Sequence, residues 1–585
     1  MKSKIFILSI ALTAFLSQSC EEYLKEELVS DVSAASYFTT PQGWEDAVRA
    51  TYNEMKNFYG IEMGFTMTVF GTDVHTNGAD GSHKPLNLYN GELNPAQGFV
   101  RNTWITFYRG INQANAVINR SENVDIPEDR KNQRIAEVRF LRGLYYFNLT
   151  RIYGDIHLSL EETEGIETTA NKTASSEIYS QAIIPDLEFA VANLPATQDD
   201  LGRVTKPAAE YLLGKALLTR SYTDFAEGND ASRAESLFTS VIENYGFELA
   251  DNYYELWGLN EEGVPVGVGT AEDNPEIIFA VQNSKQQVDE GLDGQGNRGH
   301  LYFLMEYDKL PGMTRDIENG RPWKRFRPTN YQLSLWNREI DRRYDETYKH
   351  VWIANFADNI PVWTADEAAA GYVDASLVGQ AKFEVGDTAI YIPGPGLSDA
   401  YDVNAKLSAP YLVVTPDPQY ENDPWFYSER VYPTLNKWID NSRPNRQHEQ
   451  GQRDFTLMRL GEAYLLRAEA RIQQGNSAGA AEDINVIRRR AAWDGMEDEM
   501  VITPAEATLD FLLEERAREM DGEGHRWFTL TRTGTLVERV RQHNPEASPN
   551  IQDYHIIRPI PLDQIDRTEG GYEQNPGYPG GSTPG

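Results

Sequence analysis

The chain has 585 residues, and its 89 acidic against 54 basic side chains give a formal net charge of −35. With 40% hydrophobic and 24% charged residues it has the balance of a globular protein, neither disordered nor fibrous. So acidic a chain is repelled by phosphate backbones, which excludes nucleic acid as a partner.

At the N-terminus Lys2 and Lys4 precede an apolar run from Ile5 to Leu16, and Ser17-Gln18-Ser19 leads into Cys20. A bilayer span needs ~20 apolar residues, so this shorter run reads as a signal peptide over residues 1–19 and not as an anchor. No other segment is long and apolar enough to span. Cys20 is the only cysteine, so neither an internal disulfide nor a thiolate metal cluster staples the fold. A signal that ends at a cysteine resembles that of bacterial lipoproteins, in which the thiol is lipidated and becomes the first mature residue. Cys20 is therefore the expected lipidation site. Glu21, Glu22, Glu26 and Glu27 follow, similar to the export signal of lipoproteins carried to the outer face of the outer membrane.

Helical periodicity dominates the next 200 residues. Trp44, Ala47, Val48, Thr51, Tyr52 and Met55 recur at intervals of mostly 3 and 4 after Pro41, as do Trp104, Tyr108, Ile111, Asn115 and Ile118. Phe140, Leu141, Leu144, Tyr145 and Leu149 form a third face ending near Gly154, and further runs cover 176–194, 207–225 and 231–245. After the middle of the chain, runs at 455–474, 478–491 and 505–521 restore the pattern. Several pair at the tetratricopeptide spacing: Ala468, Gly475, Ala480, Ile484 and Ile487; Gly214 and Leu217 with Ala234, Phe238 and Val241; Gly143 and Tyr146 with Ile183, Leu187 and Ala190. Helices 44–59 and 102–120 make a fourth pair. Small residues let paired helices approach, and each pair buries its apolar face on the next.

Residues 251–450 break the period. Gly, Pro, Asn and Asp clusters separate short strand-like runs such as Ile277–Val281 and Tyr411–Val414. Seven of the eleven tryptophans fall here: Trp257, Trp323, Trp336, Trp352, Trp363, Trp425 and Trp438. Segment 315–343 carries eight basic residues against four acidic. The expected architecture is mainly α: a tetratricopeptide-like scaffold of about four helix pairs with a large loop-rich, short-strand insertion. Its segments are the signal peptide 1–19, a helical part 20–250, the irregular part 251–450 and a helical part 451–585.

Three motifs carry less chemistry than their spelling suggests. Gly294 to Gly299 spells G-x-G-x-x-G, but the polar stretch Gln286–Glu290 before it is no buried strand, so it reads as a loop. Gly475-Asn476-Ser477-Ala478-Gly479 spells G-x-S-x-G but joins two helices, so Ser477 is a turn or N-cap residue and not a nucleophile. Glu514, Glu515, Glu519 and Glu523 supply carboxylate pairs of the kind glycoside hydrolysis needs, but Arg516, Arg518 and Arg526 interleave them as in a salt-bridged helix face. No cofactor is expected. Calcium is the one metal with a partial signal, at Asp293–Asn297, which lacks the sixth-position glycine and the twelfth-position glutamate of a calcium loop.

Taken together, these residues resemble the SusD/RagB-like outer-membrane nutrient-binding lipoproteins over essentially the whole chain. The likeness rests on Cys20; Trp104, Tyr108, Ile111-Asn112 and Asn115; Arg139–Phe147 leading to Tyr153-Gly154; Gly202–Lys206; Met458–Ala470; Glu514–Arg516 with Glu519 and Glu523–Trp527; Pro559–Pro561; and Gln574–Tyr578. The resemblance implies a non-catalytic protein anchored to the outer membrane through lipid on Cys20. It also implies a SusC-like TonB-dependent transporter as partner, with this chain binding an oligosaccharide and closing over the barrel as a lid. The rival readings are a glycoside hydrolase with paired Glu and a ligand-independent interaction scaffold. In the family the ligand face lies in loops after the first helix and in the irregular middle, here 70–77 and roughly 298–340. Sugar rings present apolar C–H faces to aromatics and hydroxyls to polar side chains. On that basis Tyr302, Trp323 and Trp336 are the expected stacking residues, and Asp73, His75, Asn77 and Arg325 their hydrogen-bonding partners.

Overall fold

The computed structural model describes residues 37–81, 83–163, 165–260, 274–283, 296–394, 407–414 and 428–581. Cys20 and the acidic run after it, Asp293 and Trp425 lie outside that set. The Thr40 side chain accepts from the Gly43 amide and Pro41 sits in the first turn, so helix α1 (Pro41–Asn53) starts where proline costs no hydrogen bond. A short helix α2 (Glu62–Thr68) and strand β1 (His75–Asn77) follow, then α3 (Gly98–Arg120), α4 (Glu128–Tyr153) and α5 (Ile184–Asn193). A π-helical turn at Tyr179–Ile183 leads into α5, because Pro185 has no amide to give to the carbonyl four residues earlier. Helices α6 (Lys206–Arg220) and α7 (Asp230–Asn244) complete the N-terminal array.

The irregular middle contains β2 (Ile277–Val281), β3 (Phe326–Pro328), β4 (Val351–Ile353), β5 (Thr388–Tyr391) and β6 (Leu412–Val413). Strand β7 (Phe455–Arg459) then feeds α8 (Leu460–Gln473), α9 (Ser477–Arg490), α10 (Leu509–Glu519), α11 (Arg526–Arg532) and α12 (Leu536–His543). The strands tie distant parts of the chain together. β1 pairs antiparallel with β3, placing His75 opposite Pro328 and Asn77 opposite Phe326. β2 pairs antiparallel with β7, while β4, β5 and β6 form a small three-stranded sheet.

The expected helix pairs form. α1 packs on α3, α3 on α4, α4 on α5, α5 on α6, α6 on α7, α7 on α8 and α8 on α9. Glycine sets the spacing at three crossings. A Cβ at Gly110 would stand 2.5 Å from the Tyr145 ring, one at Gly143 3.2 Å from Leu187, and one at Gly214 3.0 Å from Phe238. The α8–α9 turn has the predicted form with one change of detail: Gly475 takes φ +75°, and Asn476, not Ser477, caps α9 by accepting from the Gly479 amide at 3.0 Å.

The main apolar core draws on residues from Met55 to Tyr578. The chain's end closes that core, since Asn575 Nδ2 donates to the carbonyls of Tyr153 (2.7 Å) and Arg558 (2.8 Å). Charge is buried beside the apolar contacts. Arg459, 1% exposed, donates to Glu276 (2.8 Å), Glu519 (2.8 Å) and Glu523 (2.7 Å). Arg343, fully buried, engages Asp341 at 2.7 Å and Glu519 at 3.0 Å and lies 2.8 Å from Glu515. Among the described residues, no helix is long and apolar enough to cross a membrane.

Candidate functional site

Most of the tryptophans grouped in the irregular middle point inward. Trp257, Trp336, Trp352, Trp363 and Trp438 are all buried. Trp438 stacks on Phe455 with ring centroids 4.9 Å apart, and Trp352 stacks on Tyr307 at 4.6 Å. Trp336, expected to stack on a ligand, is among them, and that expectation is corrected: these indoles fill the space that a segment poor in regular elements leaves between helices. Among the described residues of this segment, Trp323 is the tryptophan that keeps part of its ring at the surface.

Five of the seven residues singled out as ligand contacts are also interior. Asp73 is fully buried, and its carboxylate accepts from Arg526 Nε (2.7 Å), Arg526 Nη2 (2.5 Å) and Arg539 Nε (2.9 Å). Burial alone would raise its pKa, but the guanidinium of Arg526, then that of Arg539, outweighs this and holds it below the usual aspartate value. His75 Nε2 lies 2.8 Å from Asp521 Oδ1, and Tyr348 donates to the other oxygen of Asp521. Asn77 is buried in β1, where its amide donates to Glu546 and its carbonyl accepts from Arg327. Tyr302 is 1% exposed, edge-on to Phe65 and Trp323. Trp336 is 5% exposed between Tyr344 and Tyr348. All five are buried, so none offers a free face to a ligand.

Trp323 and Arg325 remain, and they stand together. The loop that carries them is fixed from both sides. The Trp323 amide donates to the Leu301 carbonyl (2.8 Å) and that of Arg325 to Tyr302 (2.9 Å), while Gly78 donates to the Arg325 carbonyl (2.9 Å). Between them Lys324 takes φ +48°, a left-handed conformation costly for a residue with a Cβ. Its Nζ reaches Asp80 (3.0 Å) and Glu306 (3.1 Å), which holds the kink. A Cβ at Gly78 would strike the Lys324 carbonyl at 2.1 Å, so only glycine allows this approach.

Guanidinium groups lie over the indole. The Arg325 guanidinium carbon lies 4.9 Å and that of Arg321 5.8 Å from the Trp323 ring centroid. Carboxylates hold both arginines: Glu62 lies 2.7 Å from Arg325 Nε, and Glu449 accepts from Arg321 Nη1 at 2.8 Å. Beneath them the neutral ring of His300 donates from Nε2 to the Glu449 carbonyl at 2.8 Å. Burial, with the nearby Arg443 charge, lowers the His300 pKa to about 3. The result is a fixed, half-buried indole with ion-paired guanidinium groups over its ring, which offers polar donors beside the remaining apolar surface to a ring with one apolar face and peripheral hydroxyls.

Many other charged side chains are buried. Glu515, Glu519 and Glu523 form interior pairs with Arg343, Arg488, Arg490, Arg459 and Lys437, so three of the four carboxylates considered for glycoside hydrolysis are held in buried ion pairs, while the fourth, Glu514, pairs with Arg518 at 3.2 Å nearer the surface. A hollow of about 580 Å³ lies apart from Trp323, between α1, the turn at 200–203 and β2, with Asp46, Arg49, Lys56, Asp200, Arg203 and Gln282 on its walls. Among the described residues, no group of three or more His, Cys, Asp or Glu side chains is arranged to hold a metal ion.

Residues 275–578 match the SusD family, and residues 28–223 match a family described as starch-binding and associating with the outer membrane. The chain is 29% identical to SusD-like protein P2 of Formosa agariphila, over 99% of this chain and 100% of that one. Its fold is similar to that of a laminarin-binding SusD-like protein, with a TM-score of 0.63 at 22% identity, covering 92% of this chain and 100% of the other. It is similar to the same degree, TM-score 0.63 at 18% identity, to surface glycan-binding protein A of Bacteroides thetaiotaomicron in complex with laminarihexaose, covering 92% and 99%.

Proposed function

The chain belongs to the SusD family, and we propose that it is a non-catalytic, cell-surface glycan-binding lipoprotein that captures an oligosaccharide and passes it to a SusC-like TonB-dependent transporter. Lipid on Cys20 tethers it to the outer membrane, and the body of the protein acts as the transporter's lid. The observation that carries the capture role is Trp323, held half-buried in a strained and doubly anchored loop with Arg321 and Arg325 over its ring. Two glycan-binding proteins of similar fold support the same reading.

The test is calorimetry with the unlipidated protein against laminari- and malto-oligosaccharides. Saturable binding without product release is expected. Trp323→Ala should weaken it at least ~5-fold, the worth of an aromatic stacking contact of roughly 1 kcal/mol, with unchanged melting temperature. Binding indifferent to Trp323→Ala sinks the assignment of the platform, and release of shorter sugars sinks the non-catalytic reading. For the anchor, Cys20→Ser should move the protein from the membrane fraction to the soluble one. Co-purification of a transporter from detergent-solubilised membranes checks the partner.

A further inference from the structure

The helical back holds a second recess that shares no residue with the Trp323 platform. It has a volume of about 210 Å³ and lies between α4, α6, α11 and the turn before α5, with Arg151, Tyr179, Tyr222, Phe225, Phe528 and Arg532 on its walls. Arg151, partly exposed, is sandwiched: its guanidinium carbon lies 3.8 Å from the Phe147 ring centroid and 3.6 Å from that of Phe528. With both flat faces covered, only the N–H edge is open to a ligand. Along that edge Nε donates to the Phe147 carbonyl (3.1 Å) and Nη2 to Asn148 Oδ1 (2.5 Å), and Nη1 has no partner among the described residues.

The charge of Arg151 is also uncompensated at close range. Arg532 is bound bidentately by Glu469, at 2.8 and 2.7 Å, and Lys215 by Glu462 at 2.9 Å, but no described carboxylate pairs with Arg151. Burial lowers its pKa to about 10, so it stays protonated at neutral pH. A lone guanidinium edge in a recess of reduced dielectric favours a planar oxyanion. Tyr179 and Phe225, packed edge to face at 5.5 Å, add aromatic wall for a ring beside that anion.

We propose that this pocket binds a small carboxylate carried on a ring with an apolar face, the chemistry shared by uronic acids and simple aromatic acids. Its volume lies below the ~300–1,000 Å³ usual for drug-sized ligands, which suits a single ring and not a chain of them. The proposal does not depend on glycan capture at Trp323.

The experiment is titration calorimetry on the whole mature chain with glucuronate, benzoate and glucose. At least one acid should bind saturably and more weakly as salt is raised, while glucose at the same concentration does not bind. Glucuronate alone identifies an acidic sugar as the source of the carboxylate, and benzoate, alone or with it, identifies ring acids more widely. Arg151→Gln should lower the affinity at least ~10-fold, the loss of one charge-assisted hydrogen bond. Because Arg151 is packed between rings, a second variant guards against misfolding. Ile556→Glu, at a rim position 44% exposed, should weaken acid binding at least ~5-fold by like-charge repulsion with the melting temperature kept. Failure of both acids to bind, glucose binding as tightly as the acids, or acid binding that survives either variant in folded form overturns the proposal.

Discussion

Asp73 and Arg526 stand 453 positions apart in the chain, yet their side chains meet in the interior with Arg526 Nε donating to Asp73 Oδ1 at 2.7 Å. Arg539 adds a third donor to the same carboxylate. The loop after α2 is thereby pinned to helices α11 and α12. Asp73→Ala would leave two buried guanidinium groups without their anion, and a loss of about 3–5 kcal/mol is expected. Urea unfolding measures this, and the folded variant should keep its glycan affinity. A loss under 1 kcal/mol would mean that the clamp is not energetically important.

The interior charge cluster makes the protein acid-sensitive. Burial would raise the Glu515 pKa, but Arg343, Arg488 and Arg518 outweigh it and bring it down from 4.5 to about 2. A depressed carboxylate contributes stability that is present above its unfolded value and lost as pH falls through its folded one. Melting temperature should therefore drop between about pH 4.5 and about 2. Glu515→Gln should melt lower at pH 7 and show a shallower fall on acidification; parallel curves for the two proteins would contradict the assignment.

His300 predicts a second, earlier acid response. Its pKa is lowered from 6.5 to about 3, first by burial and then by Arg443. The native state thus holds the neutral ring, and the stability this gives is present above pH 6.5 and declines as pH falls towards 3. His300→Gln retains a donor for the Glu449 carbonyl and should flatten melting temperature between pH 6.5 and 4.5. Because the folded ring stays neutral until pH approaches 3, glycan affinity at the Trp323 platform should show no His300-dependent change between pH 6.5 and 4.5, which separates this stability effect from an effect on the site.

Helix spacing gives a prediction free of charge. Gly110 lies in α3 with the Tyr145 ring 2.5 Å from where a Cβ would be. Alanine improves helix propensity by up to ~1 kcal/mol, but the overlap pushes α3 from α4 at a cost of ~1–3 kcal/mol. Net destabilisation is expected for Gly110→Ala. By contrast Gly98, at the start of α3, has open space around it, so Gly98→Ala should be neutral or slightly stabilising. Thermal melts of the two variants separate the effects.

The helical scaffold was legible in the sequence because its signal is local: an apolar face every three or four residues, with small residues where helices cross. Strands such as Ile277–Val281 were legible for the same reason. The site was not, because orientation in irregular backbone is decided by partners far along the chain. Nothing near Asp73, His75 or Asn77 announces Arg526, Asp521 or Glu546, between 446 and 469 positions away. Polar residues in a loop therefore read as exposed when they are interior clamps. Trp352 misled in another way: on β4 it is buried while its neighbours Val351 and Ile353 are exposed, a period-two alternation that a single tryptophan in a short strand cannot reveal. Arginine misled too: Arg343 closes the basic segment 315–343, and nothing local to it announces the buried carboxylates of Glu515 and Glu519 that it meets.

The hydrogen bonds from Asn575 to the end of α4 bear on how the molecule is made. A chain still emerging from the ribosome lacks the segment that satisfies the Tyr153 carbonyl, and lacks the arginines that neutralise Asp73. Early helices can form on their own, but this part of their interior is completed only by partners 422 and 453 positions further along. Its packing is thus a late step that waits for the segments around Arg526 and Asn575 to be made.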